Sequence, residues 1–389
     1  MRSQKYIVIV LTIFMAIALV GCKSNKDNKH ASELNKPAGS GDLAGVWSAD
    51  LKMTVGVEPV VSGNTVAVIS KEGKVVGLDK NTGKQLWVYE DAAAPAHEYS
   101  LSSDETQVLF GVKGADYVSL DPATGKQKWK THLGVDADRL ARITDGKIYL
   151  GSSVIHGPAK RASLYILDQK TGKKLSEIET GHVLFNTPAV FDGLIYISGV
   201  YPRPFTKDEG GPHRVTAYDP AQNFKEVWVY DSDDGSTKSL IAENGVVNYI
   251  GYQDYVTGLD AKTGEKKFRK YTGNWVQGLT YHDKRIYFAP SNNKIFAINQ
   301  MTGETIWFYA LDYDRVLSYI IGRPQIKDGK VYWLHRDTRD FAVQNAADGQ
   351  LLWKAKTELH EDTRTMPVFD GNRVYLSGLD GKIFAYDMK

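Results

Sequence analysis

The chain has 389 residues, with 48 Lys and Arg against 46 Asp and Glu, a single cysteine, 36 glycines and 22 tyrosines. Arg2 and Lys5 are the only charges in residues 1–21, so the remainder is balanced at 46 basic against 46 acidic. That balance excludes a nucleic-acid binder whose affinity rests on neutralising phosphates. A hydrophobic fraction of 42% with 11% aromatics excludes a disordered chain.

Residues 1–21 read as a secretory signal. Arg2 and Lys5 form its positive end, and Tyr6 to Val20 form an apolar run of 15 residues, too short for a membrane-spanning helix. The run ends in Leu19-Val20-Gly21-Cys22, which resembles the lipobox of bacterial lipoproteins; the resemblance implies lipidation of Cys22. Residues 22–44 hold almost no large apolar side chains and are expected to form a flexible tether. Lys23 is not the aspartate that resembles an inner-membrane retention signal. A Gram-negative cell would therefore carry the protein on the outer membrane, facing the periplasm. A Gram-positive cell would carry it on the outer face of the cytoplasmic membrane. With Cys22 blocked, no disulfide and no thiol chemistry are expected.

From residue 45 to 389 the chain repeats. Val75-Val76-Gly77-Leu78-Asp79 leads through Thr82-Gly83 to Trp87. The pattern returns at Asp121, Asp168, Asp219, Asp260, Asn299 and Asn345, and an eighth copy stops at Asp387 near the chain end. Each copy also has an earlier hairpin signal, such as Asp192-Gly193 before Leu194-Ile195-Tyr196-Ile197 or Asp328-Gly329 before Val331-Tyr332-Trp333. Asp-Gly and Asn-Gly supply the positive φ angles that tight hairpins need. Four short strands per unit of about 40–45 residues predict a β-propeller blade. The fold class is thus all-β: an eight-bladed propeller of four-stranded blades. Gly45-Val46-Trp47-Ser48-Ala49 should supply the outer strand that the last copy lacks, closing the ring by pairing the two chain ends. The tryptophans at 47, 87, 129, 228, 307 and 353 share one position and should pack between blades.

The Asp-x-x-Thr-Gly-x-x-x-Trp repeat resembles the PQQ-type propeller repeat of quinoprotein dehydrogenases. Quinone chemistry in that family implies calcium-holding carboxylates, an amide and usually a vicinal cysteine pair; the lone cysteine argues against it, so no cofactor is expected. Lipobox, tether and eight blades together resemble the BamB family of outer-membrane barrel-assembly lipoproteins. That resemblance implies a non-catalytic role, with barrel-assembly subunits as protein partners. The family's acidic stretch before a middle-blade Thr-Pro is replaced here by Val183-Leu184-Phe185-Asn186-Thr187-Pro188.

None of the nine histidines is spaced as a metal pair, so they read as loop or surface residues and no metal site is expected. Asp231-Ser232-Asp233-Asp234-Gly235 reads as an acidic turn, because Ala242 stands where a calcium loop needs glutamate. Partner binding is expected on the face that carries the links after strands two and four. The candidates are Tyr201, Arg203 and Phe205 between prolines, Tyr313 and Arg315 with Tyr319, and Arg336 and Arg339. The alternative is a surface propeller that binds a small extracellular ligand or glycan at the channel mouth, or a cryptic enzyme there.

Overall fold

The computed structural model describes residues 37–151, 163–180, 183–184, 186–200, 213–232, 234, 239–251, 254–311, 320–360, 363 and 365–389. Within them the chain forms eight antiparallel sheets, the eight blades of an all-β propeller with four strands apiece and a fifth short strand in the fourth blade. The first blade is Val60–Ser62, Thr65–Ile69, Val75–Asp79 and Gln85–Tyr89, running from the innermost strand to the rim. The eighth is Val368–Asp370, Arg373–Ser377 and Lys382–Met388, with Leu43–Asp50 from the N-terminal end as its outer strand. The extra strand, Val183–Leu184, pairs with Val200 and Gly199.

Burial follows from position in the blade. Middle strands have a neighbouring blade against each face, so both alternate sets of side chains are covered; Thr65–Ile69 and Gln107–Val112 are buried throughout. The rim strand Gln85–Tyr89 is buried only at Trp87. The inner hairpins turn where the sequence placed them. Asp145, Asp192, Asn244 and Asp328 have φ of 51°, 49°, 50° and 49°, and the glycine after each is also positive.

The Thr-Gly turns explain how one blade holds the next. Asp121 accepts hydrogen bonds through Oδ1 from the Thr124 amide at 2.9 Å and the Thr124 hydroxyl at 2.8 Å. Gly125 follows with φ of 67°, and a Cβ there would stand 2.6 Å from the Trp87 ring of the preceding blade. Trp87 Nε1 donates to the Pro122 carbonyl at 2.6 Å. The same latch joins Trp47 to Lys80 O, Trp228 to Ala261 O and Trp307 to Ala346 O. At those three carbonyls a tyrosine hydroxyl of the same preceding blade donates as well: Tyr375, Tyr196 and Tyr287.

One junction departs from this plan on both sides at once. Ser176 occupies the tryptophan position of the third blade, opposite Ile166. In the facing turn of the fourth blade, Asn223 and Phe224 take the left-handed conformation with no glycine. Phe224 packs with Ile178 against Tyr149, Ile166 and Tyr218, filling the space a tryptophan fills elsewhere.

The ring closes earlier than a tether reaching residue 44 would allow. Leu43 already pairs with Met388, and Ala38 and Gly39 donate to Leu351 O and Leu352 O at 2.9 and 3.0 Å. Gly41 lies so close to Trp353 that a Cβ would stand 2.3 Å from its Nε1. The eighth copy ends before its Thr-Gly turn, and Gly41 supplies from the other end of the chain the glycine that covers Trp353.

The turn carboxylates also link stability to pH. The Thr124 hydroxyl, helped by backbone amides, holds Asp121 below the usual carboxylate range, and Thr171 does the same for Asp168. Asp79 is lowered too, its hydrogen bonds outweighing the effect of burial. A group lowered on folding adds stability above its unfolded value of about 4, and that contribution is lost as pH falls through the folded value. Asn299 makes equivalent bonds to the Met301 and Thr302 amides at 2.8 and 3.1 Å without a charge. The melting temperature should therefore drop below about pH 4. A triple Asp79→Asn, Asp121→Asn, Asp168→Asn variant should show a shallower acid drop in the same calorimetric series.

Candidate functional site

The links that lead into the innermost strands converge on the propeller axis. Four of them end in an X-Pro step: Glu58-Pro59, Thr187-Pro188, Arg323-Pro324 and Met366-Pro367. Proline holds the residue before it extended and brings no N–H of its own. Together these links surround a cavity of about 690 Å³ at the channel mouth, on the face of the links after strands two and four. Leu101, Leu140, Leu240, Ile241 and Met366 give apolar wall; Glu58, Glu98, Arg139, Arg142 and Arg323 give charge.

Glu58 and Arg323 lie deep within the ring of blades, though Arg323 is open to the channel lumen. Burial raises the Glu58 carboxyl above its ordinary value and lowers Arg323, and the attraction between the two opposes both shifts. Arg323 Nη1 donates to Leu279 O at 3.4 Å, and the Gly322 amide donates to Gln277 Oε1 at 2.8 Å, tying the seventh blade's link to the sixth blade. Burial also raises Glu98, with Lys71 pulling it down and Glu72 pushing it up. Its Oε1 seats over Gly56, where a Cβ would stand 2.0 Å away.

The family model described as "Outer membrane protein assembly factor BamB" matches residues 39–155 and 160–387. The chain belongs to this family. The BamB of Yersinia pestis is 22% identical over 419 residues, covering 97% of this chain and 98% of that protein. The crystal structure of BamB from Moraxella catarrhalis superposes with a TM-score of 0.62 at 18% identity, over 89% of this chain and 99% of that one. The quinohemoprotein alcohol dehydrogenase from Comamonas testosteroni gives a TM-score of 0.67 at 14% identity, over 92% of this chain and 79% of that one. At these identities the two structures share the fold.

The dehydrogenase likeness raises the question whether a quinone with its metal fits here. The lone cysteine is Cys22, so no vicinal pair exists in the ring. Among the described residues no three of His, Cys, Asp and Glu come together. At the mouth of this BamB-family propeller, the charge that acts on Glu58 is the Arg323 guanidinium. The donor set does not fit that group.

The residues singled out in the sequence are only partly placed. Cys22, Tyr201, Arg203, Phe205, Tyr313, Arg315 and Tyr319 lie outside the described residues. Arg336 and Arg339 sit in the link between strands Lys330–Leu334 and Asp340–Asn345 of the seventh blade, on the channel-mouth face but not in the cavity wall. Arg339 is exposed at φ 57°, and its carbonyl accepts from the Thr357 amide at 3.0 Å.

Among the histidines, read for the most part as loop or strand-surface residues, His335 is an exception: it lies in a link but is fully buried, its Nε2 meets Asn293 Oδ1 at 3.3 Å and Nδ1 accepts from the Thr338 amide at 3.1 Å. Burial lowers its pKa. Asp234, in the segment read as an acidic turn, is buried and forms a two-point ion pair with Arg269, whose guanidinium lies 3.4 Å from the centre of the Tyr255 ring. Residues missed by the sequence reading are Glu58, Glu98, Arg139 and Arg142; Arg323 ends the sequence segment that carries the candidates Tyr313, Arg315 and Tyr319. The X-Pro steps before inner strands were the available signal for Glu58 and Arg323.

Proposed function

We propose that this chain is a non-catalytic, membrane-anchored lipoprotein scaffold that binds protein partners through the link face of its propeller, in a BamB-like role in outer-membrane barrel assembly. The observation that carries the reading is the family match over residues 39–155 and 160–387, with a relative of nearly the same extent named as an assembly factor. Cys22 would carry the lipid. The periplasmic side of the outer membrane is its place in a Gram-negative cell. Tyr201, Arg203, Phe205, Tyr313, Arg315, Arg336 and Arg339 are the proposed partner contacts, since Arg and aromatic groups dominate interface hot spots.

Crosslinking followed by co-purification from native membranes tests the role. Recovery of barrel-assembly subunits is the expected result; their absence from a saturating crosslink, or a Gram-positive source, overturns it. Cys22→Ala should release the protein into the soluble fraction with its melting temperature unchanged. A variant that stays with the membrane would end the lipid-anchor reading. Replacing Tyr201, Arg203 and Phe205 by alanine should weaken partner capture by about tenfold or more, as hot-spot losses of 2 kcal/mol or above imply. The melting temperature should change little, as for substitutions outside a packed core. A large fall in melting temperature instead would show that those side chains pack.

A further inference from the structure

We propose that the channel mouth binds a short zwitterionic peptide, its free carboxylate meeting Arg139 and Arg142 and its ammonium group meeting Glu98. The cavity of about 690 Å³ lies in the size range of small-ligand sites, which combine apolar walls with a few placed polar groups. Two of its charged side chains have buried atoms with no hydrogen-bond partner among the described residues: Glu98 Oε1 and Arg139 Nε. Leaving such groups unpaired is costly, and the cost is relieved by a ligand that brings the matching donor and acceptor.

The other charges narrow the class of ligand. Glu58 and Arg323 offset each other, and among the described residues the ion-pair partner of Arg139 is Asp138, with Nη1 at 3.7 Å from Oδ2. Arg142, exposed, opens the inner strand Arg142–Thr144 three residues further on, so the third blade offers two guanidinium groups and the second blade one carboxylate. A polyanion would meet Glu58, Glu98 and Glu243 in the same cavity. A neutral sugar would cover Glu98 and Arg139 without matching either charge. A molecule with both end charges satisfies both. Gly56 is part of the arrangement, because any side chain there would displace the Glu98 carboxylate.

Calorimetric titration of the full chain with trialanine, trialanine amide, N-acetyl-trialanine and the doubly blocked peptide tests this. Saturable binding of trialanine is expected, weakened about tenfold by blocking either end, the scale of one charge-assisted hydrogen bond. Arg139→Gln and Arg142→Gln should each narrow the preference for the acid over the amide; in Glu98→Gln the acetylated peptide should bind as well as the free amine. Arg142→Gln carries the test if Arg139→Gln melts early. Equal binding of all four peptides, or no saturable heat at millimolar concentration, overturns the proposal. Neither result bears on capture of barrel-assembly proteins, which the crosslinking experiment reads separately.

Discussion

Trp87→Ala should destabilise the propeller by about 3–5 kcal/mol, the range for removing a large buried aromatic side chain. The indole is held between Gly77 of its own blade and Gly125 of the next, where added Cβ atoms would stand 2.1 and 2.6 Å from it. It belongs to a cluster with Ala67, Ile69, Val108, Phe110 and Leu120, so its loss opens a cavity at the blade junction rather than at the rim. Trp87→Phe separates the two contributions. It keeps most of the ring and loses the bond to Pro122 O, which still accepts from Thr65 Oγ1 at 2.6 Å. That variant should lose about 1–2 kcal/mol. Chemical denaturation measures both, and equal losses for the two would show that the hydrogen bond, not the packing, matters at the latch.

Deleting the chain up to Asp50 should have a larger effect still. The strand Leu43–Asp50 covers the length of Lys382–Met388, and Trp47 latches the eighth blade to the first through Lys80 O at 2.9 Å. Without it the eighth blade ends in an open strand edge, and that edge is a template for pairing with a second chain. A protein starting at Leu51 should therefore melt about 10 °C lower than one starting at Pro37, or elute from a sizing column as an oligomer. Two monomeric proteins with the same melting temperature would show that the ring does not depend on this closure.

The blades were legible in the sequence because each is a local unit. In most blades a hairpin is set by residues that accept positive φ, a Thr-Gly turn by an Asp or Asn that accepts from amides two or three residues on, and the neighbour contact by one tryptophan. The closing strand was legible because the eighth copy visibly lacks an outer strand. Less could be read where a contact joins distant residues. Ser176 and Phe224 compensate for each other across a junction, and nothing near either one announces the other. Gly41 looks like tether until Trp353 is found beneath it. His335 and Asp234 look like surface residues until Asn293 and Arg269 are brought against them. The cavity at the channel mouth is the extreme case: its lining comes from short segments separated by a whole repeat, and only the folded ring makes them neighbours.

The central claim is that the link face of this BamB-family ring meets protein partners. Photo-crosslinking in living cells reads it directly, with a benzoylphenylalanine at Tyr99 on the channel-mouth face and another at Lys84 in a Thr-Gly turn on the opposite face. Tyr99 is 53% exposed and Lys84 is exposed as well, so both probes reach solvent. Crosslinks to barrel-assembly proteins are expected from position 99 and none from position 84; crosslinks from position 84 alone would place the partners on the opposite face.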